Sequence, residues 1–189
     1  IIREPDNTLK CIVEEKDATS EQKAVKEVNA GIYCLNWGKI KQAFSELTSN
    51  NAQGEYYLTD IIAWGKKKAL NVNAYILENN EEIFGINSRI NLAQATKILT
   101  KRVLNNLMTN GVTIVDPDST WISPDTEIGQ DTIIYPSTYI EGKNKIGKNC
   151  KIGPCAHLRG GVEVWDNVKL GNFVEVKKSV IKSNTCLLY

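Results

Sequence analysis

Residues 122–176 read ISPDTEIGQDTIIYPSTYIEGKNKIGKNCKIGPCAHLRGGVEVWDNVKLGNFVEV. An aliphatic residue returns at every sixth position, at Ile122, Ile128, Ile134, Ile140, Ile146, Ile152, Leu158, Val164, Leu170 and Val176. Four residues after each of these comes a shorter side chain: Thr126, Thr132, Thr138, Asn144, Cys150, Ala156, Val162, Val168, Val174 and Val180. A six-residue period fits neither an α-helix nor a flat strand. It fits a chain that turns a corner after each short strand, with three sides to a coil, and so predicts a β-helix of stacked coils.

Two cations of this repeat lie one full coil apart. With three six-residue sides, residues 18 apart stack at about the 4.8 Å spacing of neighbouring strands, as Arg159 and Lys177 would, with Glu141 below Arg159. Because stacked like charges repel, the pair is explained by a bound anion, and phosphate suits an Arg fork and a Lys point charge. In the alternative, Glu141 partly neutralises the stack and both cations are simply solvated. His157, the only histidine, is interpreted as a surface residue of the repeat.

The first part of the chain has a different pattern. Strands are predicted at 9–15, 28–35 and 72–77, and helices at 38–47 and 57–68. This order predicts an α/β layer structure that resembles the second half of such a domain. A long helix with an apolar stripe follows and stops at Gly111. The predicted organisation is therefore an α/β part at 1–88, a connecting helix at 89–111 and a β-helix at 112–189.

Composition narrows the function classes. Basic and acidic residues number 23 and 22, a net charge of +1, which argues against a nucleic-acid partner. No apolar run reaches the roughly 18 residues that cross a bilayer. The odd number of cysteines, five, favours free thiols in a reducing cytoplasm over a disulfide framework.

Motifs along most of the chain resemble those of a bacterial enzyme family, the bifunctional N-acetylglucosamine-1-phosphate uridyltransferases/glucosamine-1-phosphate N-acetyltransferases. The matching segments run in the family's order: IVEEKDA (12–18), VNAGIY (28–33), NNAQGEYYLTD (50–60), GINSR (85–89), LRGG (158–161) and GNFVEVKK (171–178). The resemblance implies a Rossmann-like nucleotidyltransferase part followed by a left-handed parallel β-helix. It also implies a cytoplasmic homotrimer that acetylates glucosamine 1-phosphate with acetyl-CoA and then joins the product to UTP.

The resemblance also implies roles for five residues. From the residues alone, Glu14 is a strand end, Asn29 a turn residue and Asn87 a helix N-cap. In the family, residues at the positions of Glu14 and Asn29 hold N-acetylglucosamine, and the one at Asn87 is a ligand of Mg²⁺. The positions of Arg159 and Lys177 bind the sugar phosphate.

The chain departs from the family at several points. The glycine-rich nucleotide loop and the metal-binding Asp are absent, and the catalytic His expected at about position 189 is replaced by Tyr189. The sequence therefore assigns no catalytic residue, and we expect these 189 residues alone to be inactive in both reactions. Two alternatives stay open: another sugar-1-phosphate nucleotidyltransferase with a β-helix, or a non-catalytic trimerising scaffold. A zinc-dependent carbonic anhydrase of this fold would need several histidines.

Overall fold

The computed structural model describes residues 1–188 and divides into two compact units. The first is Ile1–Ile83, and the second begins at Phe84 and includes the long helix that precedes the repeats. Within residues 1–188, none of the helices combines the length and apolar character that crossing a bilayer requires. All five cysteines are free thiols, as predicted.

The first unit is built from short elements. Strands β1 (Ile2–Arg3) and β2 (Leu9–Cys11) form an antiparallel pair. The helices are α1 (Ser20–Lys23), α2 (Trp37–Ile40), α3 (Ala43–Glu46) and α4 (Asp60–Lys67), with single 3₁₀ turns at Glu15–Asp17 and Asn80–Ile83. A small core holds them together: Leu9, Ile40, Ala43, Ile61 and Ile62.

The strands predicted at 28–35 and 72–77 are wrong for this structure, because neither segment belongs to a sheet. A strand needs a neighbour for its backbone hydrogen bonds, and the sheet within the described part of this unit contains only β1 and β2. The apolar residues of both segments are accordingly exposed, Val28 to 70% and Tyr75 to 88%. The predicted helix at 38–47 is split into α2 and α3, and that at 57–68 is shortened to α4.

The second unit opens with helix α5, Arg89–Thr109. Its N-cap is Ser88, whose side chain accepts a hydrogen bond from the Asn91 backbone N–H, so the assignment of Asn87 as the cap was one residue early. Gly111, with φ of +91°, terminates the helix as predicted. Leu104 and Leu107 pack into the core of the repeats that follow.

The repeats form a parallel β-solenoid of three faces, which confirms the architecture predicted from the six-residue period. The first face contains β4 (Trp121–Ile122), β7 (Tyr139–Glu141), β10 (His157–Arg159) and β13 (Glu175–Lys177). The second contains β5 (Glu127–Ile128), β8 (Lys145–Ile146), β11 (Glu163–Val164) and β14 (Val180–Ile181). The third contains β3 (Thr113–Ile114), β6 (Ile133–Ile134), β9 (Lys151–Ile152), β12 (Lys169–Leu170) and β15 (Cys186–Leu187).

The solenoid interior is the predicted aliphatic ladder. Nine of its ten residues are buried and Ile128 is partly so. The corners accept the shorter side chains. Those of Thr126, Thr132 and Asn144 are hydrogen-bonded inside the prism, whereas the buried Thr138 hydroxyl has no partner among the described residues. Asn144 donates to Thr126 Oγ1 at 3.3 Å and accepts from the Val162 backbone N–H at 3.1 Å. Buried amides therefore act as links between successive coils.

The last coil is one residue shorter than the others. Val180 pairs with Glu163 and Cys186 with Lys169, at offsets of 17 rather than 18 residues. Because a one-residue slip turns every side chain to the opposite face, Ile181 is buried in place of Lys182, and Val180 points outward, 58% exposed. The corner position predicted for Val180 was therefore wrong, and the aliphatic ladder continues through a shifted register.

Candidate functional site on the first face of the solenoid

Arg159 and Lys177 lie side by side on the first face of the solenoid. Strand β10 pairs with β13 so that Arg159 is in register with Lys177, and with β7 so that it is in register with Glu141. The stack predicted from the 18-residue spacing is thus confirmed. The flanking side chains in the same strands are Tyr139, His157 and Glu175, which form a parallel row.

Arg159 is held by two carboxylates. Its Nη1 donates to Glu175 Oε1 at 3.0 Å, and its Nε lies 3.4 Å from Glu141 Oε1. The hydrogen bond and charge of Glu175, supported by Glu141, raise the pKa of the Arg159 guanidinium. The Lys177 ammonium makes no ion pair with any residue from 1 to 188. Glu141 therefore partly neutralises the stack, as in the alternative, but Arg159 is paired with two carboxylates rather than simply solvated.

A row of aromatic rings runs beside these charges. Trp121 stacks on Tyr139 with ring centroids 5.9 Å apart, and Tyr139 meets the His157 ring in a T-shaped contact at 5.4 Å. His157 Nε2 lies 3.4 Å from Glu141 Oε1 without forming a hydrogen bond, and is itself shielded from solvent. His157 is therefore only partly a surface residue, since its polar nitrogen points at a carboxylate.

A second candidate site lies within the first unit. Glu14 and Asn29 both line a cavity of about 350 Å³, so the structure brings these two predicted residues together. Glu14 accepts a hydrogen bond from the Thr59 hydroxyl at 3.0 Å, and the Asn29 amide donates to the Tyr33 hydroxyl at 2.7 Å. These contacts fix polar groups at the cavity wall, as binding of a polyol requires.

An ion pair that was not predicted from the sequence lies at this cavity. Glu27 lines it and receives two hydrogen bonds from the Arg3 guanidinium, at 2.7 and 2.6 Å. The hydrogen bond from Arg3 lowers the pKa of Glu27, although partial burial opposes this effect. No sequence pattern marks the pair, because its members lie 24 residues apart with β2, a 3₁₀ turn and α1 between them.

We expect the Arg3–Glu27 pair to make the stability of the first unit depend on acid pH. Since the pKa of Glu27 is lower in the folded than in the unfolded chain, its contribution is present above the unfolded pKa. It is lost as the pH falls through the folded pKa. Urea unfolding followed by circular dichroism at several acid pH values should show this loss.

A Glu27→Gln variant should lack this component of the acid dependence. Glu4→Gln is the matched control, because Glu4 pairs with Lys10 on the surface at 3.6 Å and such pairs contribute little. An unchanged acid dependence in Glu27→Gln would contradict the assignment.

Asn87 belongs to the second unit and is exposed. Its backbone N–H donates to the Asn91 side chain at 3.3 Å. Magnesium in proteins is held by carboxylates together with water and substrate phosphates, and within residues 1–188 no group of three His, Cys, Asp or Glu is placed to hold a metal. The residues present therefore do not fit a Mg²⁺ site. Tyr189, which occupies the position predicted for the catalytic residue, lies outside the described residues.

Comparison with known proteins gives the context of these sites. A family model for the bacterial transferase hexapeptide (six repeats) matches residues 145–178. The bifunctional protein GlmU of Acetivibrio thermocellus is 50% identical over 137 residues, which are 72% of this chain and 30% of that protein. GlmU of Fervidobacterium nodosum is 52% identical over 136 residues, 72% of this chain and 29% of that protein. A serine acetyltransferase isoform 3 of Entamoeba histolytica, solved with cysteine, superposes only with a TM-score of 0.37 at 17% identity, over 58% of this chain and 45% of that one.

The extent of these matches bears on both units. The chain spans about 30% of the length of the curated relatives it matches. A match over 137 residues is longer than the whole second unit, so it necessarily reaches into the first. With identity of this extent, and with hexapeptide repeats in its solenoid, the chain belongs to the family of the bifunctional protein GlmU.

Proposed function

We propose that this chain is part of a bifunctional enzyme that synthesises UDP-N-acetylglucosamine, which is a precursor of the bacterial cell wall. Its solenoid, as a left-handed parallel β-helix, carries part of the site that transfers an acetyl group from acetyl-CoA to glucosamine 1-phosphate. Family membership supports this role. In the full-length protein we expect three such solenoids to associate, in the cytoplasm, as the resemblance implies.

The observation that carries this proposal is the register of Arg159 with Lys177. One guanidinium and one ammonium, a single strand spacing apart, can grip the same phosphate, with the planar fork fixing its orientation and the point charge adding attraction. The distribution of charge along the solenoid also favours anion binding at the C-terminal coils, which contain Arg159 and Lys177. All charged residues from 112 to 141 are acidic, whereas those from 143 to 182 are mainly lysines. Binding the phosphate would anchor the sugar and leave its amine to face the acetyl donor.

For the first unit we propose a part in the second reaction, the joining of N-acetylglucosamine 1-phosphate to UTP. The placement of Glu14 and Asn29 on one cavity supports contacts with the sugar. Domain limits of 1–88, 89–111 and 112–189 remain our proposal for how the two activities divide. Asn87 stays a proposed substrate contact, and no role is assigned to Mg²⁺ because the residues described do not form its site.

Arg159→Ala and Lys177→Ala are each expected to weaken binding of glucosamine 1-phosphate about 10- to 100-fold, because a hydrogen bond to a charged group contributes about 1.5–3 kcal/mol. Isothermal titration calorimetry measures the effect. Lys169→Ala is the matched control: Lys169 also stacks on a cation, Lys151, but on the third face. Equal weakening by all three variants would show a nonspecific charge effect and contradict the site.

A further inference from the structure

We propose that Glu141 is an internal counter-ion that competes with the bound anion for Arg159, and that His157 controls the competition by taking up a proton. This inference rests on the proposed sugar-phosphate site and adds two residues that set its affinity. It predicts that the site binds anions more tightly at mildly acid pH than at alkaline pH.

The Glu141 carboxylate contacts both Arg159 and His157. Its Oε1 atom lies 3.4 Å from Arg159 Nε and 3.4 Å from His157 Nε2, between the two side chains. The opposite edge of the guanidinium is held by Glu175 at 3.0 Å. An arriving phosphate must therefore replace a carboxylate at Arg159 or share the guanidinium with it.

The Nε2 atom of His157 is buried although the ring is partly exposed. The whole side chain is 38% exposed, yet Nε2 is shielded from solvent and has no hydrogen-bond partner. The contact with Tyr139, itself stacked on Trp121, limits rotation of the ring. A shielded nitrogen without a partner is costly. A second proton on the ring makes both nitrogens donors, so that Nε2 then faces Glu141 as a donor of a cationic ring.

Carboxylates and cations are balanced in the cluster around His157. The ionisable groups that face His157 come from three strands: Tyr139 and Glu141 of β7, Arg159 of its own strand β10, and Glu175 and Lys177 of β13. With neutral His157 the two carboxylates balance the two cations. A proton on His157 adds a positive charge, pairs with Glu141 and frees Arg159 Nε for the anion. Imidazole groups exchange this proton in the range from about pH 5 to 8.

Sulfate is the probe of choice, because it keeps its double negative charge across this range while sugar phosphates titrate. We expect the unaltered chain to bind sulfate about 5- to 10-fold more tightly at about pH 5.5 than at about pH 8.5, because a protonated His157 that pairs with Glu141 should release Arg159 to the anion. Glu141→Gln should bind sulfate about 5- to 10-fold more tightly than the unaltered chain at about pH 8.5, since a neutral amide competes less for Arg159. His157→Asn should remove most of the pH dependence.

Nuclear magnetic resonance provides a second measurement on the same chain. His157 is the only histidine, so its imidazole gives one assignable set of nuclear magnetic resonance signals. Because coupling between two binding events is reciprocal, saturating sulfate should move the titration midpoint of His157 to higher pH. The change in this midpoint should be smaller in Glu141→Gln, because only the direct attraction between the sulfate and the imidazole ring remains.

The outcomes separate this inference from the proposed function. If Arg159→Ala and Lys177→Ala abolish sulfate binding but Glu141→Gln and His157→Asn leave its strength and pH dependence unchanged, the counter-ion role is wrong and the anion site stands. If Arg159→Ala and Lys177→Ala bind sulfate as well as Lys169→Ala does, the anion site itself is wrong, and this inference falls with it.

Discussion

Replacing Leu158 with alanine is expected to lower the free energy of unfolding of the solenoid by about 2–5 kcal/mol, the range for truncating a buried leucine. Leu158 is 0% exposed and lies in register between Ile140 and Val176 at the centre of the first face. The coils above and below it are tied together by backbone hydrogen bonds, so they cannot collapse into the space that the side chain leaves. The lost contacts are therefore not regained.

The measurement must report on each compact unit, because two units need not unfold in one transition. Hydrogen exchange in increasing urea, read peptide by peptide by mass spectrometry, gives the stability of the solenoid separately. Val180→Ala is the control: this residue is also in a strand but points outward, so its truncation should change stability by less than about 0.5 kcal/mol. Equal losses in the two variants would contradict the register described for the last coil.

Gly147→Ala is expected to destabilise the same unit by about 1–3 kcal/mol, as overpacking of a dense structure does. A Cβ at this position would overlap Asp166 Oδ1 and lie 2.8 Å from both the Asp166 nitrogen and the Trp165 carbonyl carbon. The carboxylate cannot simply move away, because it accepts a hydrogen bond from the Lys148 backbone N–H at 2.7 Å. Two coils would have to separate to admit one methyl group.

Gly85→Ala provides the comparison for this prediction. Gly85 lies in the same unit, has no positive φ, and a Cβ there would meet its nearest neighbour at 3.9 Å. Urea-dependent hydrogen exchange should therefore show an unchanged solenoid. A Gly147→Ala variant as stable as Gly85→Ala would mean that the coils approach less closely at this corner than the structure shows.

The candidate site was only partly accessible from the sequence. An 18-residue spacing was enough to place Arg159 beside Lys177 and above Glu141, because the solenoid converts spacing directly into neighbours. The role of Glu175 was not predicted, since it is in register with His157 and reaches Arg159 diagonally. Such a contact depends on side-chain rotamers, which periodicity does not specify.

The net charge of the chain was likewise an incomplete indicator of the partners that it binds. The near-zero balance argued against polyanionic partners, but charge is segregated along the solenoid, acidic at 112–141 and mainly basic at 143–182. Most of those lysines are unpaired within the described chain. Because electrostatic attraction falls off over about 10 Å at moderate salt, a ligand responds to the local excess rather than to the sum over the molecule.

By itself the sequence determined the solenoid: its three faces, its inward ladder and the coil-to-coil neighbours. The reason is that these features depend on a local period, repeated until cooperative stacking leaves one arrangement. Tertiary structure alone decided the rest. It left segments 28–35 and 72–77 outside any sheet, because a strand requires a partner elsewhere. It shortened the last coil by one residue, and it directed the shielded nitrogen of His157 at Glu141, because packing across three strands sets the direction of each side chain.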